Sequence, residues 1–218
     1  DRTSLKALQQ SFQDDFGMHL SFSGVPPELQ DNDGYLGYVM GQTGAVGAHF
    51  FFLDLQQPVA AALRPGVGFS GALDALRLPK ASGALDSVAP FASQTRFSGF
   101  INSQRDSDGI LRRVPLLLSY QGIIHPSLAL AATLRALGLN EGVVETGLAG
   151  PVLRLGDRRL PLDREGQALL RLHGAAEHYP EVSALAVLSG AVTPATLKGK
   201  VVFVGVSAAG FNDLHATA

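Results

Sequence analysis

The 218-residue sequence contains no cysteine, so it carries neither a disulfide framework nor a thiolate metal site; the absence is compatible with a cytosolic or a periplasmic location. Charge is scarce as well. Only 17% of residues are charged and the formal net charge is -2, which leaves no basic footprint for nucleic acid and removes that class of partner. Long apolar runs are missing: stretches such as residues 114–118 and 201–206 fall far short of the roughly 20 residues of a membrane helix. The six histidines are scattered without a His-Glu-x-x-His spacing, so zinc is not expected. Two aspartate clusters, Asp31-Asn32-Asp33-Gly34 and Asp106-Ser107-Asp108-Gly109, lack the glutamate that a calcium loop needs at its twelfth position, where Gln42 and Leu117 stand. Both clusters read as turns or helix caps, and no cofactor is expected. Internal repeats and low-complexity tracts are also absent.

What is present is a 46% hydrophobic chain, long enough to bury a large core in one domain. Its organising stretch is residues 96–120. Two apolar segments, 97–102 and 110–120, flank a seven-residue connection that ends in Asp106-Ser107-Asp108-Gly109, and this predicts a β-hairpin with Gly109 at positive φ. Arg112 and Arg113 point to opposite faces of the returning strand, so at least one of them needs a partner. Asp106 and Asp108 at the hairpin tip are within reach, and an anionic ligand is the alternative.

Taken in order, residues 5–16 form an amphipathic helix capped by Thr3 or Ser4, and a second short helix follows Asp31 and stops at Gly41 or Gly44. Residues 46–53 form a strand covered on both faces, with His49 as a satisfied core or rim residue and not a ligand. Residues 56–93 read as an irregular excursion containing a short helix at 85–91. His125-Pro126-Ser127 opens a helix that Gly138 closes. Residues 152–155, 159–162 and 168–172 form a small antiparallel meander. Helical turns follow at 179–188 and 194–197, and residues 201–206 form a central, buried strand. The fold class is therefore α/β, a mixed β-sheet with flanking helices and a small antiparallel meander.

The exit of that last strand, Gly205-Val206-Ser207-Ala208-Ala209-Gly210, invites enzyme readings. A dinucleotide fingerprint needs glycine in place of Ser207 and a following helix. A nucleophile elbow at Ser207 lacks its second glycine and crowds Asp213 and His215 within eight residues of the serine. A small α/β hydrolase using Ser207 stays as the alternative to a binding module without catalytic activity.

Three segments in combination carry a resemblance. The run Gly99-Phe100-Ile101-Asn102 to Val114-Pro115-Leu116, the helix start Pro126-Ser127-Leu128-Ala129-Leu130, and the strand Leu197-Lys198-Gly199-Lys200-Val201-Val202-Phe203-Val204-Gly205 with Asp213 and Thr217 resemble the extracytoplasmic sensory domain of the CHASE type, second class. The resemblance covers most of the chain, and Asp1-Arg2-Thr3-Ser4 and Asp31-Asn32-Asp33 look like helix-opening segments of that family. The family usually begins with a further strand, helix and strand, and Thr217-Ala218 stands where Thr-Pro is frequent. The chain opens on a charged segment without Met and so reads as part of something longer.

The resemblance implies a sensor on the periplasmic or extracellular face of a bacterial cytoplasmic membrane, joined on one polypeptide to transmembrane helices and a cytoplasmic cyclase or kinase. Its signal would be an undefined small molecule or protein. An unpaired sheet edge left by absent first strands would favour a homodimer. The resemblance also implies a ligand site in which Asp106, Asp108, Arg112 and Arg113 lie near Ser207, Asn212, Asp213 and His215. The competing reading is an ion-pair network that fixes the hairpin.

Overall fold

The computed structural model describes residues 4–26, 30–54, 60–61, 63–103, 106–171 and 180–205. The chain is mixed α/β and its contacts gather into two units, residues 1–103 with 115–168 and residues 104–114 with 169–218.

The first unit opens with α1 (Leu5–Phe16), capped by the Ser4 side chain, which accepts from the Ala7 N–H. Asp31 caps α2 (Asn32–Thr43) in the same way through the Gly34 N–H. Both helices stop at glycines with left-handed φ, Gly17 and Gly44. The strand β1 (Val46–Phe52) then alternates. Gly47, His49 and Phe51 are buried, whereas Phe50 is 38% exposed, so this strand is covered fully on one face and not on both.

The excursion that follows is more regular than its Pro, Gly and Ala content suggests. It contains β2 (Gly68–Gly71), a single 3-10 turn, β3 (Lys80–Ala81), β4 (Gly83–Leu85) and α3 (Ala89–Ala92). The helix expected at 85–91 is thus confined to one turn, because Leu85 is committed to pairing with Phe50. Downstream lie β5 (Phe97–Phe100), β6 (Arg113–Pro115), β7 (Leu117–Tyr120), β8 (Ile123–Pro126) and α4 (Leu128–Ala136). Ser127 caps α4 as expected, accepting from the Leu130 N–H, and Leu130, Ala131 and Leu134 form its buried face.

Strand pairing closes much of this unit into a small ring. β1 pairs with β4 on one side and, in parallel, with β5 on the other. A single bridge from Phe100 to Ser127 links β5 to the end of β8, β8 pairs with β7, and β7 pairs with β3. Because β3 and β4 are one extended segment interrupted only at Ser82, the circuit returns to β1. Such closure removes sheet edges and encloses a core. That core holds Phe51, Phe100, Leu118 and Tyr120 with Ala84 and Leu63. Phe51 is its hub, with ring centroids 5.9 Å from Phe100, 5.2 Å from Tyr120 and 5.2 Å from His125. On the outer side, α4 packs against β1 and β5.

A second sheet in the same unit has the order β11-β10-β9-β2, with β9 (Glu141–Gly147), β10 (Gly150–Leu155) and β11 (Arg158–Pro161). The sequence meander is therefore shifted by one strand. Glu141–Gly147 supplies its first member, and the third expected member, β12 (Gln167–Leu169), pairs with β6 instead.

In the second unit, α5 (Ala184–Leu188) and α6 (Pro194–Leu197) are short. Residues 180–183 are not helical, so only the end of the helix expected over 179–188 forms among the described residues. The expected central strand at 201–206 is contradicted over residues 201–205. They carry no ladder, and Val201, Val202, Phe203 and Val204 are 54%, 54%, 64% and 94% exposed. An apolar run forms a buried strand only when another strand is beside it, and none of the described residues supplies one there.

Candidate functional site

The turn predicted at Asp106 to Gly109 forms. Gly109 has φ 82°, its N–H donates to Asp106 O over 2.8 Å, and the Asp106 N–H donates to Ile110 O over 3.0 Å. The hairpin does not. β5 pairs with β1, β6 with β12 and β7 with β8 and β3, so the segments flanking the turn pair elsewhere instead of with one another.

The charged side chains at this turn converge as the sequence suggested. Arg112 Nη1 lies 3.1 Å from Asp106 Oδ2 and 2.9 Å from Asp108 Oδ2, and Arg113 Nη1 lies 3.5 Å from Asp106 Oδ1. The Ile110 N–H and then the Arg112 guanidinium hold the Asp108 carboxyl below its ordinary value. Asp108, and then Asp106, raise the Arg112 guanidinium in return. Two cations and two anions thus neutralise one another at an accessible tip, an arrangement that fixes a loop and leaves little unbalanced charge for a ligand. The other four expected site residues, Ser207, Asn212, Asp213 and His215, lie outside the described residues.

Three further features emerge only from the fold. The first is a pair of buried histidines inside the strand ring. His49 on β1 is 3% exposed and His125 on β8 is fully buried, with centroids 5.7 Å apart in a T-shaped arrangement. Among the described residues none of their four ring nitrogens has a hydrogen-bond partner. Burial lowers both to about 4, with the neighbouring His125 adding to the effect on His49. Both are therefore neutral at ordinary pH. His49 is a core residue as expected, but the expectation that it would be satisfied is contradicted, because among the described residues its apolar surroundings offer neither nitrogen a partner.

The second feature is a cleft of about 790 Å³, walled by the turn bearing Asp74 and Arg77, the β9–β10 connection, and the turn bearing Asp163, Arg164 and Glu165. Its charges are mixed in sign, and Asp163 is already engaged with the Gln167 N–H. The third is a smaller cleft of about 350 Å³ where α2 and α4 end. There Arg96 and Arg135 place their guanidinium carbons 5.5 and 5.6 Å from the centre of the same Phe97 ring. No acidic residue lines this cleft. The sequence offered no route to it, because its walls come from three separate segments.

Among the described residues no cluster of three or more histidine, cysteine, aspartate or glutamate side chains has the geometry of a metal site. Nor is any helix among them long and apolar enough to cross a membrane. In comparison with known proteins, the family model described as the CHASE2 domain aligns with residues 6–218. No curated protein and no solved structure matches the chain.

Proposed function

The chain belongs to the CHASE2 domain family, a family of extracellular sensory domains, and from that premise we propose that it is the ligand-sensing part of a membrane-bound bacterial receptor. In this reading it lies on the outer face of the cytoplasmic membrane and passes its signal to a cyclase or kinase on the same polypeptide. The observation that carries the reading is the extent of the family match, which runs over residues 6–218 and so takes in both units. The charges of Asp106, Asp108, Arg112 and Arg113 at this turn then act as a structural clamp, which their mutual ion pairing supports.

A sensor responds to a ligand only through different affinities for two conformations. Its signature is a ligand-dependent melting temperature without turnover, since a ligand raises stability in proportion to its preference for the folded state. Thermal shift across small anions, sugars and amino acids, run beside an esterase assay on short acyl substrates, tests both halves. The expected result is stabilisation by one compound class and background hydrolysis unaffected by Ser207→Ala. Serine-dependent turnover would replace the sensor with a hydrolase.

A further inference from the structure

The small cleft at the ends of α2 and α4 holds an electrostatic imbalance. Two guanidinium groups, Arg96 and Arg135, approach one aromatic ring, and among the described residues neither has a carboxylate partner. Cation–π attraction to Phe97 accounts for their placement, not for their charge. The C-terminal ends of α2 and α4, marked by Gly44 and Gly138, also face the cleft and supply negative potential. Each end is worth about half an elementary charge, so the two together offset about one of the two cations. A net charge of about +1 remains in a concave site before any anion enters.

The local backbone is fitted to this arrangement. Gly44 ends α2 at φ +64°, and a Cβ built there would lie 2.5 Å from Arg135 Nη2, so a side chain at this position would displace that guanidinium from where it now sits. Gln42 and Asn140 add side-chain amides to the same walls. We propose that this cleft binds a small dicarboxylate, with one carboxylate on each guanidinium and the carbon spacer against the Phe97 edge. A planar guanidinium matches a carboxylate in fork geometry. Two forks beside one aromatic ring can each take a carboxylate, which suits a molecule with two separate carboxylates better than a single tetrahedral phosphate with its charge at one point.

This proposal rests on the sensory reading only for the meaning of the binding event, and the binding itself is measured without any output domain. Titration calorimetry of the 218-residue chain with succinate, inorganic phosphate and acetate tests it. Succinate is expected to bind, with phosphate and acetate weaker by about tenfold or more. Arg96→Gln and Arg135→Gln should each weaken succinate by about tenfold or more, since each removes one charged fork. Asn140→Asp, which keeps both arginines but adds a carboxylate, should do the same. Arg164→Gln, in the larger cleft, should leave the affinity unchanged. Circular dichroism establishes that every variant is folded. A folded wild-type chain that gives no succinate heat at about 10 mM, or that binds phosphate more tightly, overturns the site. So does succinate affinity equal to that of the wild type in either arginine variant. None of those results touches the sensory reading, which instead fails if a complete receptor does not change its output with any ligand.

Discussion

The buried histidine pair makes the stability of this domain sensitive to mild acid. His49 and His125 occupy the interior of the strand ring, packed by Phe51 and Tyr120, with no carboxylate contributing to either shift. In the unfolded chain each titrates near 6.5, and in the folded chain each is lowered to about 4. Because the folded values are depressed for a base, the unfolded state takes up protons first as pH falls, and stability present above about 6.5 is lost progressively toward about 4. For a shift of this size the loss by pH 5 is about 2 kcal/mol for each histidine, and about 3 kcal/mol for the two together after allowing for solvent that reaches a fluctuating ring. In a chain of this length that lowers the melting temperature by roughly 6 to 12 °C between pH 7.5 and pH 5. Melting curves read by circular dichroism at pH 7.5, 6 and 5 measure it. His49→Phe combined with His125→Leu should remove most of the slope, and each single variant about half. The Asp108 carboxyl is lowered below its ordinary value and titrates in a more acidic window, so it does not mask the effect. If the doubly substituted protein loses stability in parallel with the wild type, the histidines are not the titrating groups and the argument fails.

What the sequence displayed and what it hid divide along the range of the interaction responsible. The helices α1, α2 and α4 were legible because their caps are local: Ser4, Asp31 and Ser127 each accept an N–H three residues on. The turn at Gly109 was legible for the same reason. Its flanking strands were misassigned because partner choice is non-local, and β5 lies beside β1, about fifty residues earlier, through pairs such as His49 with Phe100. The strand β9 carried a signal that was passed over. Gly142 and Val144 are buried while Glu141 is exposed, an alternation partly disguised by its two glutamates. Residues 201–205 show the opposite error, an apolar run whose burial depends on a neighbour that the run itself cannot specify. The two-arginine cleft was invisible, since Gly44, Arg96 and Arg135 lie in three separate segments that only the fold brings to one place. His49 looked like an ordinary core residue, and only the fold shows that a second histidine faces it with no acceptor for either ring.

Arg112→Ala should accelerate hydrogen exchange at the Ile110 amide while barely moving the melting temperature, because the ion pairs it removes are solvent-accessible and fix only the tip. A large fall in melting temperature would show that the clamp supports more than its own turn. Exposed apolar groups on α2, Tyr35 at 56% and Leu36 at 50%, and on the 201–204 run should drive self-association into a dimer, visible in analytical ultracentrifugation as a sedimentation coefficient that rises with concentration. A coefficient independent of concentration would remove the homodimer expected from the sequence. The strongest packing test is Gly99→Ala on β5. A Cβ there would stand 2.6 Å from the Leu128 N and Cα atoms and the Ser127 O atom, all backbone, at the point where α4 starts against the ring. No side chain can rotate away to relieve that contact, so the helix start or the strand must move, and the Phe100–Ser127 bridge that links β5 to β8 sits one residue further along. Overpacking of this kind costs about 1 to 3 kcal/mol, and simultaneous loosening of the bridge places the expected value in the upper half of that range. Chemical denaturation with the slope held in view distinguishes the outcomes. A lower midpoint at unchanged slope is expected, whereas an unchanged midpoint would mean that α4 does not press on β5 at Gly99 and that the ring is not closed there.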